Sequence, residues 1–321
     1  SSSIALQAQI TLYDWGRNAI AIDIAKESVL ATRAALVGVE QDVLLSAVQA
    51  YLDVTSAIEQ VDLQQNSVRV IGQEQKAATD RFEVGEITQT DVAQADAALA
   101  AARASLASAE GSLQVARESY LLATGKMPGK LAPPPPTPKL PANLAAARDI
   151  GQRTHPSIEQ ARRQAAAAEL GVAAAAAERN PQLTGTAAIT RQRSNNNAML
   201  DTRYGTNKTV SLEMSQTIYS GGRLPSAHRK AMAQRDSARA ALLNVARQVN
   251  DAVGVAWAQI DVARAQISSI DEQIVAAQKA FEGVSEEATL GARTTLDVLD
   301  AEQSLLAARA DKITAQANLQ L

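Results

Sequence analysis

One turn of this chain occurs twice, and the second copy holds register with the first over a long distance. GEITQTDVAQADAAL fills 85–99 and GARTTLDVLDAEQSL fills 291–305, with Gly, Thr, Asp-Val, Ala and Leu at matching places. The shift is 206 residues, the difference between Gly85 and Gly291, and it needs no gap. At the same shift LYDWGR (12–17) falls on IYSGGR (218–223), and RAAL (33–36) falls on RAAL (239–242). Val39 and Val43 fall on Val245 and Val249, Tyr51 on Trp257, and Arg103 on Arg309. A register sustained over roughly a hundred residues means two copies of one large unit, not a stack of short solenoid repeats. Chance likeness between alanine-rich helices accounts for the alanines. It does not account for the Tyr, Gly-Arg and Gly-x-x-Thr-x-x-Asp-Val matches.

Each unit reads as strand, long helix, turn, second helix. In 3–12 the apolar Ile4, Leu6, Ala8, Ile10 and Leu12 alternate with Ser3, Ala5, Gln7, Gln9 and Thr11. Segments 182–190 and 209–218 alternate in the same way, and the polar stretch RQRSNNNAMLDTRYGTN (191–207) reads as a solvated loop between them. Runs of about 9–11 residues match a tilted membrane-spanning strand. A half-solvated antiparallel sheet has the same pattern.

The helical stretches say more. No proline interrupts Gly16 to Phe82, and Val43, Ala47, Ala50, Val54, Ala57, Val61 and Val68 largely follow 4-3 spacing. The second copy carries Val249, Val253, Ala256, Ile260, Ala263, Ile267, Ile270 and Ile274. Such seams belong to helices packed as coiled coils. A helix of ~60 residues measures about 90 Å at 1.5 Å per residue. The second helix of the first unit alternates small and large residues from Val92 through Ala95, Leu99, Ala102 and Leu106 to Tyr120. Between the helices, Gly85 and Gly291 suit the left-handed residue that ends a helix. Thr90 and Thr294 lie where a side-chain oxygen can cap the next one. Asp91 and Asp297 then fall in a first turn, where negative charge meets the helix dipole favourably.

Between the units, KMPGKLAPPPPTPKLP (126–141) is an extended proline-rich linker. A short helix at about 143–154 follows, then one that starts at Pro156 and stops at Pro181. His155 reads as a helix-start residue and His228 as solvated. These are the only histidines, and cysteine is absent, so neither a disulfide framework nor a thiolate metal site exists. A net charge of −3 leaves no electrostatic footprint for nucleic acid. No run approaches the ~20 apolar residues of a membrane-spanning helix, which says nothing against a β-barrel. No nucleophile, base or metal set converges, so neither an enzyme nor a cofactor is expected.

The second unit is preceded by a helix and a strand (156–190). The repeat implies equivalents ahead of residue 1, some fifty residues of helix and strand. Few strands with open edges are untenable in lipid, and long apolar stripes need lateral neighbours. Both point to a ring of identical chains.

LYDWGR and IYSGGR at the strand-to-helix junctions, LGARTTLDVLDAEQSL at the hairpin, and TGKMPGKLAPPPP before HPSIEQAR resemble the TolC family of bacterial outer membrane efflux proteins. The resemblance covers nearly the whole chain. It implies a homotrimer in which a twelve-stranded outer membrane β-barrel continues into a long periplasmic α-helical barrel. In that frame 1–15 is a barrel strand and 16–124 the first long helix pair. Residues 125–155 are the linker and an equatorial helix, and 156–180 an α-barrel helix. The barrel hairpin is 181–220, and 221–321 is the second long helix pair.

The implied role is a passive exit duct for tripartite efflux or type I secretion. Its implied partners are a periplasmic adaptor, an inner membrane pump or ABC transporter, and outer membrane lipid. The two repeated turns become entrance tips, with Gly85, Gly291 and Thr294 at the adaptor-docking bends. Asp297 and Asp300 correspond to an acidic constriction. Arg293 corresponds to a latch with Thr90 and Asp91 as its partners. Ala288 departs from the pattern, standing where some members carry an aromatic latch. The competing expectation is a soluble coiled-coil scaffold or adaptor with a small water-exposed sheet.

Overall fold

A computed structural model describes residues 2–196 and 201–321. The elements run β1 (Ser2–Tyr13), α1 (Arg17–Glu83), α2 (Gln89–Thr124), α3 (Leu144–Thr154), α4 (Pro156–Ala177), β2 (Gln182–Asn196), β3 (Asp201–Ser215), α5 (Arg223–Thr289) and α6 (Thr295–Gln320). Residues cluster into two compact units, 1–38 with 148–251, and 39–147 with 252–321. Among the described residues no helix is long and apolar enough to cross a membrane.

The first unit is built on a three-stranded antiparallel sheet in the order β1-β2-β3. Its register places Leu6 opposite Ile189, Ala8 opposite Ala187, and Ala187 in turn opposite Val210. Directly opposed residues share a face. One face is therefore apolar, and the other carries Gln7, Gln9, Thr186 and Ser211. The apolar face is bare: Ile4 is 80% and Val210 85% exposed. Gly185 keeps this face shallow beneath β1, since a Cβ there would meet Leu12 Cδ1 at 3.3 Å.

The strands extend into the stretch expected to be a loop. β2 continues to Asn196 and β3 begins at Asp201, leaving only 197–200 outside the described residues. Asn, Arg and Thr favour loops only weakly, and an antiparallel ladder satisfies their backbone groups as well as water does. At its other end β3 stops at Ser215 rather than reaching 218. There the chain turns to begin α5, and Ser220 Oγ accepts from Leu224 N at 3.2 Å.

The strand-to-helix junctions use left-handed backbone. Trp15 and Gly16 have φ of 52° and 87°, and Gly221 and Gly222 have 58° and 89°. Asp14 fixes the first junction by accepting from Gly16 N (3.1 Å) and Asn18 N (2.8 Å). Arg17 donates to the carbonyls of Ala177 (3.0 Å), Glu178 (3.1 Å) and Asn180, tying α1 to the end of α4. His155 caps α4, its Nδ1 accepting from Ser157 N at 3.2 Å. His228 is half-buried rather than fully solvated. It lies one turn beyond buried Leu224 and one turn before buried Ala231, and its Nδ1 is closed off from solvent with no partner among the described residues.

The second unit packs helices through small residues. On α2 the buried residues are Ala95, Ala102, Ala109 and Ala116, one every seven positions. A strict seven-residue period keeps one stripe facing its neighbour. Ile71, Ala102 and Leu299 form a cluster, with Val68, Ala98 and Leu99 against it. On α1 the seam buries Ala50, Val54 and Val61 but leaves Val43 56% exposed, and it also buries Gln64 and Ser67. Tyr51 anchors the proline linker, its hydroxyl donating to the Ala132 carbonyl at 2.6 Å.

Candidate functional site: the helix-hairpin tips

The two hairpin tips end their first helix with the same pair of backbone bonds. At the first, Gly85 takes φ 81°, its N–H donates to Phe82 O (2.9 Å), and Glu86 N donates to Arg81 O (2.9 Å). At the second, Gly291 takes φ 78°, its N–H donates to Ala288 O (3.2 Å), and Ala292 N donates to Glu287 O (2.9 Å). This pair of bonds is the Schellman arrangement, which satisfies the last carbonyls of a helix and depends on a left-handed residue.

Three residues after each glycine the next helix is capped. Thr294 is extended, and its N–H and hydroxyl both donate to Asp297 Oδ2 at 2.9 Å, while Asp297 N returns to Thr294 Oγ1 at 3.3 Å. At the first tip the capping residue is Thr88, not Thr90. Its N–H and hydroxyl donate to Asp91 Oδ2 at 2.9 and 2.8 Å. Thr90 sits one residue before Asp91 in the helical first turn and is exposed. The residue 206 before Thr294 is Thr88, so the repeat register identifies the cap and proximity to the helix start does not. Both aspartates lie below the ordinary carboxylate range, held there first by the N–H and then by the hydroxyl of their threonine.

The tips differ in charge and packing. Asp300, one turn after Asp297 on the same face, is exposed, and Gln94 takes its place in the first copy. Arg293 stands where the first copy has Ile87, and its Nε donates to Glu287 Oε2 at 2.9 Å. Glu287 holds the guanidinium above its usual range, with Asp297 adding a smaller pull. The structure thus brings Arg293, Glu287 and Asp297 together on one tip, while Asp91 is taken by its own cap. Ala288 is buried, and its counterpart Phe82 is 42% exposed, so the aromatic lies on the first tip. Below the second tip, Thr295, Val298, Leu299 and Leu305 are buried, and Leu299 packs against Ile71 and Ala102 of the first hairpin.

Nothing in the motifs singles out Glu302. It is buried among these residues, and burial raises its pKa, with Arg309 opposing that shift, Glu74 adding to it and Arg69 opposing it. Its counterpart Asp96 instead accepts from Gln75 Nε2 at 2.8 Å across α1 and α2. The helix period places 302 on the face of Val298 and Leu305, a signal that alternation of charge on an alanine-rich helix obscures. Among the described residues no cluster of acids and histidines could hold a metal ion.

A model of the family described as outer membrane efflux protein matches residues 1–126 and 152–321. The chain belongs to that family. It is 31% identical to the outer membrane efflux protein BepC of Brucella suis over 98% of this chain and 69% of that protein. It is 27% identical to the outer membrane protein TolC of Escherichia coli over 87% of this chain, but spans only 59% of TolC. The fold matches the outer membrane protein VceC of Vibrio cholerae with a TM-score of 0.82 at 22% identity, covering 99% of this chain and 76% of VceC. As an outer membrane efflux protein the chain is located in the outer membrane and extends into the periplasm.

Proposed function

We propose that three copies of the full-length protein form a passive exit duct for tripartite efflux or type I secretion. The hairpin tips ring its periplasmic entrance. The carrying observation is that one chain builds the same Schellman-plus-cap tip twice and packs the helices of the two hairpins together through Leu299. Matched tips at an offset of 206 residues are what a ring lined by pairs of equivalent hairpins requires. Helices α1 and α5, of 67 residues each, support two repeats at that offset. A twelve-stranded barrel needs four strands per chain, one beyond β1, β2 and β3. The bare apolar face of the sheet supports lipid contact, since soluble chains seldom leave such a face open.

At the entrance, Asp297 and Asp300 from each chain form the acidic constriction. Rings of carboxylates attract cations and deter anions. Arg293 is the latch. A surface arginine–carboxylate link is directional yet weak enough to exchange partners. In this reading Arg293 moves between Glu287 of its own tip and the Thr90–Asp91 turn of a neighbouring hairpin. A periplasmic adaptor docks at the Gly85 and Gly291 bends, and an inner membrane pump or ABC transporter supplies the cargo. The chain itself performs no catalysis.

The test is to extract the full-length protein from outer membranes in detergent, determine its mass, and insert it into a planar bilayer. A trimer with cation-selective, low-conductance openings is the expected result. A water-soluble monomer or dimer that never inserts sinks the duct and favours the soluble scaffold.

A further inference from the structure

We propose that the sheet carries a site for the phosphates of an anionic lipid head group, built by Arg191, Arg193 and Lys208 around Tyr204. This deepens the duct reading and rests on its lipid-facing sheet. The register puts Lys208 opposite Ile189, Arg191 between Ile4 and Thr206, and Arg193 opposite Tyr204. All of these therefore share the face of Leu6, Val210 and Leu212, directly beyond its apolar band. Same-face rungs follow every second residue, so the cations span about 14 Å along the strands at ~3.4 Å per residue. Among the described side chains of this face none is acidic.

The Arg191 and Arg193 guanidinium carbons lie 5.7 and 5.9 Å from the centre of the Tyr204 ring. Cation–π contact engages the flat face of a guanidinium and leaves its N–H edge free. That edge is the group that binds phosphate oxygens in pairs. Tyr204 is itself 62% exposed, its apolar body level with the end of the band. Lys208 and Arg191 can lay their aliphatic stems along Ile189 and Ile4 while the charged heads reach outward.

The arrangement is one-sided along the strands. It lies toward the β2–β3 connection, where β2 ends at Asn196. At the opposite end of the sheet two cations, Arg17 and Arg223, face partners on this chain. Arg17 caps α4, and Arg223 lies 4.0 Å from Glu178. Aromatics are present at both ends, with Tyr13 and Trp15 in edge contact at 4.6 Å near the helix junction. Among the described residues, a face with three cations and no acid is the feature of the β2–β3 end. If the helices reach into the periplasm, that end meets the outer leaflet, and the partner is a phosphorylated lipid of that leaflet.

The experiment reconstitutes the delipidated full-length trimer into phosphatidylcholine vesicles with or without a minor fraction of bisphosphorylated lipid A. Lipid A carried through re-extraction is then counted by native mass spectrometry. Wild type is expected to retain it. A variant carrying Arg191→Gln, Arg193→Gln and Lys208→Gln is expected to lose about a hundredfold in affinity, a factor of about five per cation. A second variant, Arg191→Lys with Arg193→Lys, keeps the charge but loses the paired N–H edge, so it checks folding and should bind between wild type and the Gln variant. Equal retention by wild type and the Gln variant, with both inserted as trimers, overturns the inference and leaves the duct intact. Displacement of the lipid by excess inorganic phosphate overturns the lipid assignment in favour of a free-anion site. Failure of wild type to insert into either vesicle overturns the duct reading itself.

Discussion

Asp297 Oδ2 accepts both the N–H and the hydroxyl of Thr294 at 2.9 Å. The carboxylate proposed to narrow the entrance is therefore also the clamp that starts α6. Asp300 has no such duty, and this separates the two. Asp300→Asn should lower cation selectivity in planar bilayers and leave thermal unfolding unchanged. Asp297→Asn should lower selectivity and destabilise the tip together. Thr294→Ala should cost about 1 kcal/mol through the cap alone, with selectivity retained. If Asp300→Asn left cation selectivity at the wild-type level, Asp300 would have no place in the constriction.

The same contacts set a pH dependence. Asp91 and Asp297 have native pKa values below their unfolded ones. Their capping contribution is then fully present above the unfolded value and is lost as pH falls through the native one. Protection of the Thr88 and Thr294 amides from hydrogen exchange, taken relative to the intrinsic rate at each pH, should be lost only in strongly acidic solution. Loss of protection already near neutral pH would show that the caps do not hold the tips.

Glu302 predicts the opposite slope. Burial raises its pKa, so the native state keeps the proton to higher pH than the unfolded chain does. Its contribution is largest below the unfolded value and is lost as pH rises through the native one. Glu302→Gln should therefore raise the unfolding temperature at neutral pH and have little effect at pH near 4. Arg309, Glu74 and Arg69 face it, so Arg309→Met should raise the Glu302 pKa further. A destabilised Glu302→Gln at neutral pH would mean that the carboxylate is charged and paired in the native protein.

Much of the tip is legible in residue order. The 206-residue register sets Gly85 against Gly291 and Asp91 against Asp297, and both pairs are geometrically equivalent. Thr90 and Thr88 flank Gln89, and proximity to the helix start favours the wrong one; only the register separates them. The partner of Arg293 is not legible, because Glu287 lies across a bend whose backbone must first be known. The reach of β2 and β3 is hidden by Asn, Arg and Thr, residues whose loop preference yields to a ladder. Glu302 and His228 escape notice for one reason: a polar residue on a buried helix face looks like its solvated neighbours until the face is fixed.

Arg293 offers a test of partner exchange. Its bond to Glu287 keeps the guanidinium on its own tip. Arg293→Ala should raise single-channel conductance and antibiotic permeability, since the proposed latch is then removed. Glu287→Ala should do the reverse, because the freed guanidinium turns to the Thr90–Asp91 turn of the neighbouring hairpin. Should both variants raise conductance equally, the Arg293–Glu287 pair would be a local brace and the latch would fail.

The bends themselves can be probed without touching charge. Gly85 and Gly291 hold left-handed φ, and a Cβ at either would meet nothing within 4 Å. Substitution by alanine therefore adds backbone strain and no clash, about 1–2 kcal/mol at each tip. Gly111, by contrast, lies inside α2 with ordinary φ and equally open space. Gly111→Ala should stabilise that helix by up to about 1 kcal/mol. Thermal unfolding of the three variants decides the matter, because opposite signs are expected from the same chemical change. Adaptor binding gives the functional arm. It should weaken for Gly85→Ala and Gly291→Ala and hold for Gly111→Ala, and equal binding by all three would remove the bends from the docking surface.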